Sequence, residues 1–179
     1  MQVVKIDQIK EKEIILAIKE GKIFIYPTDT VYGIGCNGLN KMAVEKIRAI
    51  KQTDHPFSVI VPSKSWIQKH LYIQFNQFLK LLPGPYTLIF FKKRPNWLPW
   101  LSGKKLAVRI PNHPIARIVA KTGLPFVSTS ANISGQPAAK NVKELKIAEK
   151  VDIIIDGGQL PGKPSTIFDL TGKKPKRIR

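Results

Sequence analysis

PFVSTSANISG, residues 125–135, begins as the inside of a sheet and then changes character. Pro125, Phe126 and Val127 are apolar, but Ser128, Thr129 and Ser130 follow, then Ala131, Asn132 and a loop closing at Gly135. A purely structural strand keeps apolar side chains to its end, because each contributes roughly 1.5–3 kcal/mol when buried. Ligands of open α/β sheets bind beyond the carboxyl ends of strands, so hydroxyls and an amide collected there suggest a site. The competing reading is turn chemistry, in which Ser, Thr and Asn satisfy their own backbone.

The flanking sequence supplies the sheet. HPIARIVAKTG (113–123) has helical spacing and a terminal glycine, and LAVRIP (106–111) before it reads as a strand. Further out, Ile9, Ile14, Ile15, Ala17 and Ile18 predict a helix ended by Gly21, KIFIYP a strand stopped by Pro27, and Lys41 to Ile50 a second helix. FSVIVP (57–62) is apolar almost throughout, as a strand covered on both faces is. Residues 63–82 look helical in two pieces, PGPYTLIFF is a strand, RPNWLPWLSG a loop, NVKELKIAEK a helix, and VDIIID and STIFDL are strands. Alternating elements with connections of variable length predict one α/β domain over residues 1–179, an open, twisted, mixed sheet flanked by helices.

Composition narrows the function. Of 179 residues, 30 are Lys or Arg and 12 are Asp or Glu, a formal charge of +18 that calls for a polyanionic partner or a phosphorylated substrate. Cys36 stands alone, so no internal disulfide and no thiolate metal cluster can form, which suits a reducing cytoplasm. No apolar run approaches membrane-spanning length.

Two motifs mislead. GGQLPGKP (157–164) nearly matches a phosphate loop, but Pro164 takes the place of the magnesium-binding hydroxyl and STIFDL continues as a strand where a helix is required, so a turn is expected. GIG (33–35) lacks a third glycine and is weak evidence for a dinucleotide. No metal-type His/carboxylate spacing occurs, and Ser128 and Ser130 have no local base to activate them.

Two features repeat the opening oddity. YPTDTVYGIG (26–35) also ends a strand in short polar residues, Thr28, Asp29 and Thr30. Arg109 lies inside the apolar strand LAVRIP, where desolvation is costly unless an anion accepts its fork of donors. A protein acid or a substrate carboxylate could be that anion.

Together, PTDTVYGIG, a Lys after the next helix, PGPYT, LAVRIPNHP, STSANISG, VDIIIDGG and PSTIFDLT run in order from Ile23 to Arg179, and this ordered set resembles the YrdC/TsaC family of threonylcarbamoyl-AMP synthases. The length resembles that of the short, single-domain form, so one YrdC-like domain is expected. The resemblance implies a YrdC-like fold and a nucleotidyltransferase joining L-threonine, bicarbonate and ATP into L-threonylcarbamoyladenylate and pyrophosphate, for threonylcarbamoyladenosine in tRNA. It implies Mg2+ carried by the ATP phosphates, a cytoplasmic location, tRNA or double-stranded RNA as a partner, and tRNA-modifying partner enzymes. Thr30, Arg109, Ser128 and Ser165 fall at threonine-binding positions; Lys51, His55, Ser130, Asn132 and Arg179 fall at ATP-binding ones. No side chain is implied as a nucleophile, so catalysis rests on positioning and electrostatics. Thr53 replaces an arginine of the family pattern, leaving one phosphate contact missing or supplied by Lys64, Lys104 or Lys105, and Ala138 replaces a hydroxyl. The alternative is a non-catalytic tRNA- or double-stranded-RNA-binding protein of the same fold, YciO-like. The lysine-rich end is either a solvated tail or a last strand that brings Arg179 to the nucleotide.

Overall fold

Ile23, Phe24, Ile25 and Tyr26 are all buried, yet they do not share a core: Ile23 and Ile25 enter a large apolar cluster, Phe24 and Tyr26 a smaller one. Successive strand side chains point to opposite faces, so this segment is a strand covered on both sides. Val59 and Val61 alternate with Ile60 in the same way, Val127 with Phe126, and Ile154 with Ile153 and Ile155. The computed structural model of the chain describes residues 1–179.

Eleven strands form one mixed sheet: β1 (Gln2–Lys5), β2 (Phe24–Tyr26), β3 (Gly33–Gly35), β4 (Ser58–Ile60), β5 (Leu71–Tyr72), β6 (Tyr86–Lys92), β7 (Lys105–Arg109), β8 (Phe126–Ser130), β9 (Ile153–Asp156), β10 (Thr166–Asp169) and β11 (Lys176–Arg177). Their order across the sheet is β1-β9-β2-β3-β8-β4-β7-β6-β10-β11, with β5 beside β6. β9 is parallel to β1 and β2, β4 to β7, and β6 to β10; the other neighbours are antiparallel.

Four helices cover the sheet: α1 (Glu11–Lys19), α2 (Lys41–Lys51), α3 (Lys64–His70) and α4 (Pro114–Thr122). The Asn40 side chain caps α2 by accepting the Ala43 N–H at 3.1 Å, and Ser63 caps α3 through the Trp66 N–H at 3.0 Å. Pro114 opens α4, and Gly123, at φ +71°, closes it. α1 and α4 lend Ile14, Ile18, Ile115, Ile118 and Val119 to the smaller cluster; α2 and α3 lend Val44, Ile47, Ile50 and Ile67 to the larger. No helix is long and apolar enough to cross a membrane.

The mixed α/β architecture matches the sequence expectation, with local differences. NVKELKIAEK forms two single 3-10 turns, Val142–Glu144 and Ala148–Lys150, in place of a helix. The Glu144 carboxylate takes the Lys140 N–H and the Asn141 side-chain amide, while Leu145, Ile147 and Val151 reach the core from the residues flanking these turns, so their spacing reports burial and not a helical face. Gln2–Lys5, mostly exposed, pairs as an edge strand that hydrophobic patterning does not reveal. GIG, weak as a dinucleotide signal, forms β3, between β2 and β8. A Cβ at Gly35 would lie 1.9 Å from the Val127 carbonyl oxygen, which is why glycine is required there. Gly35→Ala is therefore expected to lower stability by about 2 kcal/mol or more, read as a reduced urea midpoint at constant m-value. An unchanged midpoint would show that β3 does not press on β8 in this way.

Candidate active site

The cover of α1 and α4 ends partway along their face of the sheet. On that face Phe126 is followed by Ser128 and Ser130, and Ile60 is preceded by Ser58. Ala107 and Arg109 share the face, because Leu106 and Val108 point into the opposite cluster; Thr87 and Ile89 share it because Leu88 and Phe90 do likewise. Register aligns Ser128, Ser58, Ala107 and Ile89 in one row across β8, β4, β7 and β6. This floor of mostly small side chains lies under a cavity of about 620 Å³. β8 thus ends in hydroxyls because its helix cover has ended, and water or a ligand takes the helix's place.

The turn from β2 to β3 forms one wall. Thr28 Oγ1 donates to the Val31 carbonyl at 2.8 Å, so the Thr30 hydroxyl is the donor in the 2.8 Å bond between the two threonines. Arg109 Nη2 pairs with Asp29 Oδ1 at 2.6 Å, and Nη2 and Nη1 approach Thr30 Oγ1, at 3.4 and 3.5 Å. Asp29 also accepts the Asn112 N–H at 2.8 Å. Burial pushes the Arg109 pKa down against the pull of Asp29, and Arg179 pushes it down further. Of the two anions expected for Arg109, the structure supplies the protein acid and leaves one edge of the guanidinium over.

Across the floor, Ser165 Oγ is 2.9 Å from Thr87 Oγ1. Arg179 Nε donates to the Ser165 carbonyl at 3.1 Å, and Nη2 approaches Ser165 Oγ at 3.4 Å. The lysine-rich end is therefore a strand, since β11 pairs with β10 and carries Arg179 to the cavity wall. Its contacts lie with Ser165, on the side expected for threonine, and not with Ser130 or Asn132.

At the end of β8, Lys51 Nζ donates to the carbonyls of Ser130, at 2.6 Å, and Asn132, at 2.7 Å. Lys51 lines a smaller adjoining hollow of about 170 Å³ with Thr53 and His55; Ser130 and Asn132 lie on the wall common to both. Thr53 Oγ1 accepts the His55 N–H at 3.2 Å, and Arg48 donates to the His55 carbonyl at 2.9 Å, fixing this loop. Lys64, Lys104 and Lys105 line neither hollow, and Lys105 pairs with Asp169 at 3.0 Å, so none of these three stands in for the arginine that Thr53 replaces.

Two buried side-chain polar atoms of the molecule have no partner, Arg109 Nε and Asn132 Oδ1, and both residues line the cavity. The Asn132 amide is oriented by its Nδ2, which donates to Ile133 and Gln136 carbonyls at 3.0 and 2.6 Å. An unmet donor and an unmet acceptor on two residues that border one hollow are what a ligand with a carboxylate and an amine-bearing ring would call on.

The family model for Sua5, YciO and YrdC, described as telomere recombination, matches residues 16–179. The chain belongs to the Sua5/YciO/YrdC family. The threonylcarbamoyl-AMP synthase of Blochmanniella pennsylvanica is 33% identical over 176 residues, 90% of each chain. A Methanocaldococcus jannaschii protein provisionally given the same name is 38% identical over 185 residues, 98% of this chain and 85% of that one. The crystal structure of P. abyssi Sua5 complexed with L-threonine superposes with a TM-score of 0.86 at 30% identity, over 100% of this chain and 57% of that one. E. coli YciO gives 0.84 at 29% identity, over 99% and 93%.

Within this Sua5/YciO/YrdC domain the expected residues divide into three groups. Thr30, Arg109, Ser128, Ser165, Ser130, Asn132 and Arg179 line the cavity; Lys51 and His55 line only the smaller hollow; Ala138 lines the cavity in place of a hydroxyl. Sequence reading missed Asp29 as the partner of Arg109, and Ser58, Thr87 and Ala107 as the floor. Each small residue sits alone in its own strand, and only the pairing of strands aligns them.

Burial lowers the Lys51 pKa to about 8. Between pH 8 and 10.5 the unfolded chain then holds a proton that the folded chain has released, so this group's contribution to stability rises with pH. Urea unfolding of the wild type and Lys51→Met at pH 8, 9 and 10 should show the difference moving in favour of the wild type as pH rises. A constant difference would contradict this environment for Lys51.

Proposed function

We infer that this chain is a threonylcarbamoyl-AMP synthase, a transferase serving threonylcarbamoyladenosine modification of tRNA; the synthase name of its relatives supports this. The observation that carries it is the cavity bordered by both Arg109 and Asn132, each of which holds a buried polar atom without a partner. The reaction proposed is that of a nucleotidyltransferase. The threonine amine captures CO2, from bicarbonate, as a carbamate and releases a proton. A carbamate oxygen then attacks the α-phosphorus of ATP, the bond to the β-phosphate oxygen breaks, and pyrophosphate leaves.

In this reading Arg109 Nε takes the threonine carboxylate, Thr30, whose hydroxyl is donated to Thr28, holds the guanidinium in place, and Ser128 and Ser165 stand beside them. Ser130 and Asn132 face the nucleotide, Asn132 Oδ1 accepting from the exocyclic amine of adenine. Lys51 holds the strand end in shape through two carbonyls, and Lys51 and His55 border the region where ATP extends into the smaller hollow. Arg179 and Arg109 bracket the place where carboxylate and phosphates come together, and screen their mutual repulsion. A fixed field of this kind accelerates the reaction without a nucleophilic side chain. No carboxylate lines the cavity, so the chain offers no ligand set for Mg2+; the ion belongs to the ATP phosphates.

The alternative, RNA binding without turnover, leaves the two unpartnered groups unexplained. The synthase reading is favoured for that reason.

With L-threonine, bicarbonate, Mg-ATP and pyrophosphatase, the protein should form phosphate in a threonine-dependent manner; none above the threonine-free control would refute the synthase. Arg109→Lys retains the charge paired with Asp29 but loses the fork. It should weaken threonine binding by about 1.5–3 kcal/mol, roughly 10- to 150-fold, in calorimetric titration. An unchanged affinity would remove Arg109 from the threonine site.

A further inference from the structure

GGQLPGKP (157–164), the motif that imitates a phosphate loop, is the connection from β9 to β10. These two strands lie on opposite sides of the floor strands β8, β4, β7 and β6, so the connection has to pass along the cavity. Its end, Pro164 and Ser165, stands in the cavity wall. Residues 157–165 therefore form a strap, and hydrogen bonds pin it at intervals. At its start the buried Tyr32 hydroxyl accepts the Gly157 N–H at 2.9 Å and donates to the Gly158 carbonyl, also at 2.9 Å. Asp156 Oδ1 accepts the Gly158 N–H at 2.9 Å and closes the same turn. Leu160, buried in the larger apolar cluster, donates its N–H to the Lys140 carbonyl at 2.8 Å. The Gly162 N–H then reaches the Thr30 carbonyl at 3.0 Å, and Ser165 ends the strap against Thr87 and Arg179.

The first turn of the strap is shaped for this approach. A Cβ at Gly157 would lie 2.7 Å from the Pro27 ring, and Gly158 holds φ +72° with open space around it. Tyr32 itself is held by its main chain, whose N–H donates to the Ala139 carbonyl at 3.2 Å and whose carbonyl accepts the Ala131 N–H at 2.8 Å. Removing the hydroxyl therefore releases the strap without releasing Tyr32. Tyr32 lines neither hollow, so it meets no substrate directly. Tyr26, two turns of the pleat away in the same hairpin, shows the contrast: its buried hydroxyl goes to one carbonyl within the sheet, that of Val127 at 3.2 Å. The Tyr32 hydroxyl instead takes a donor and an acceptor from consecutive residues of the strap, using both of its hydrogen-bonding capacities on one segment.

We propose that Tyr32 is a positioning residue of the threonine side of the cavity: its hydroxyl latches the strap, and the strap sets where Thr30 and Ser165 stand. The proposal rests on the synthase reading. Thr30 in turn meets the Arg109 guanidinium, so the latch acts on the carboxylate-binding group through two intermediates, the Gly162 N–H and the Thr30 backbone. The nucleotide side is held by other bonds: Lys51 to the Ser130 and Asn132 carbonyls, the Asn132 amide to Ile133 and Gln136, and Thr53 to His55. Loosening the strap should therefore disturb threonine and spare ATP.

Tyr32→Phe keeps the ring and removes the latch. In steady-state pyrophosphate release its threonine KM should rise about tenfold while its ATP KM moves less than about twofold. Gly158→Val, which strains a backbone at φ +72°, should reproduce that rise from the other side of the latch, and Gly158→Asn, which tolerates the conformation, should keep the wild-type threonine KM. Hydrogen exchange read by mass spectrometry needs no substrate: residues 157–165 should exchange faster in Tyr32→Phe than in the wild type, with β8 unchanged. An active wild type beside an unchanged threonine KM in Tyr32→Phe, equal rises in both KM values, or a Gly158→Asn KM as high as that of Gly158→Val would overturn the proposal. Unchanged exchange over 157–165 would overturn the latch whatever the turnover. Normal latch behaviour in exchange beside a wild type without threonine-dependent pyrophosphate would instead refute the synthase reading, and the role of Tyr32 in threonine binding with it.

Discussion

A sheet face left without its helix must carry side chains that tolerate whatever replaces the helix, and this constraint organises the molecule. α1 and α4 bury Phe24, Tyr26, Ile60 and Phe126. Beyond their reach, the same face carries Ser58, Ala107, Ser128 and Ser130. On the opposite face the apolar cluster continues, with Val59, Leu88, Phe90, Leu106, Val108 and Val127. The cavity is therefore not a defect in the core: one face of the sheet supplies the stability, and the other is free to hold ligands.

Charge then sets what the cavity can hold. A buried guanidinium needs an anion, and Asp29 supplies enough to keep Arg109 in place without using its Nε. A second unmet group, Asn132 Oδ1, sits on the wall shared with the smaller hollow, where Lys51 fixes the backbone by gripping two carbonyls. Donor and acceptor are each oriented by hydrogen bonds within the protein, as electrostatic catalysis by positioning requires.

The sequence showed where strands end in polar residues, that Arg109 needed a partner, and, through the ordered motifs, which family the chain resembles. Those signals are local or collinear. The floor was not legible, because Ser58, Ala107 and Thr87 are unremarkable in their own strands and meaningful only in register. The resemblance places Lys51, the last residue of α2, toward ATP; that its ammonium also hydrogen-bonds to the Ser130 and Asn132 carbonyls is visible only in the fold. GIG was ambiguous for a related reason: the close approach of Val127 that requires Gly35 comes from a strand some ninety positions away in the chain. The helix expected over 141–150 failed because a run of buried apolar residues has the same spacing in short turns as on a helical face.

The central claim is that a substrate carboxylate completes the hydrogen bonding of Arg109. The most direct measurement is the arginine Nε–H region of a 15N–1H correlation spectrum, with the Arg109 signal assigned by its loss in Arg109→Lys, recorded as L-threonine is added. The account predicts a saturable downfield shift of that one proton. Threonine binding that leaves the Arg109 Nε–H signal unmoved would contradict it.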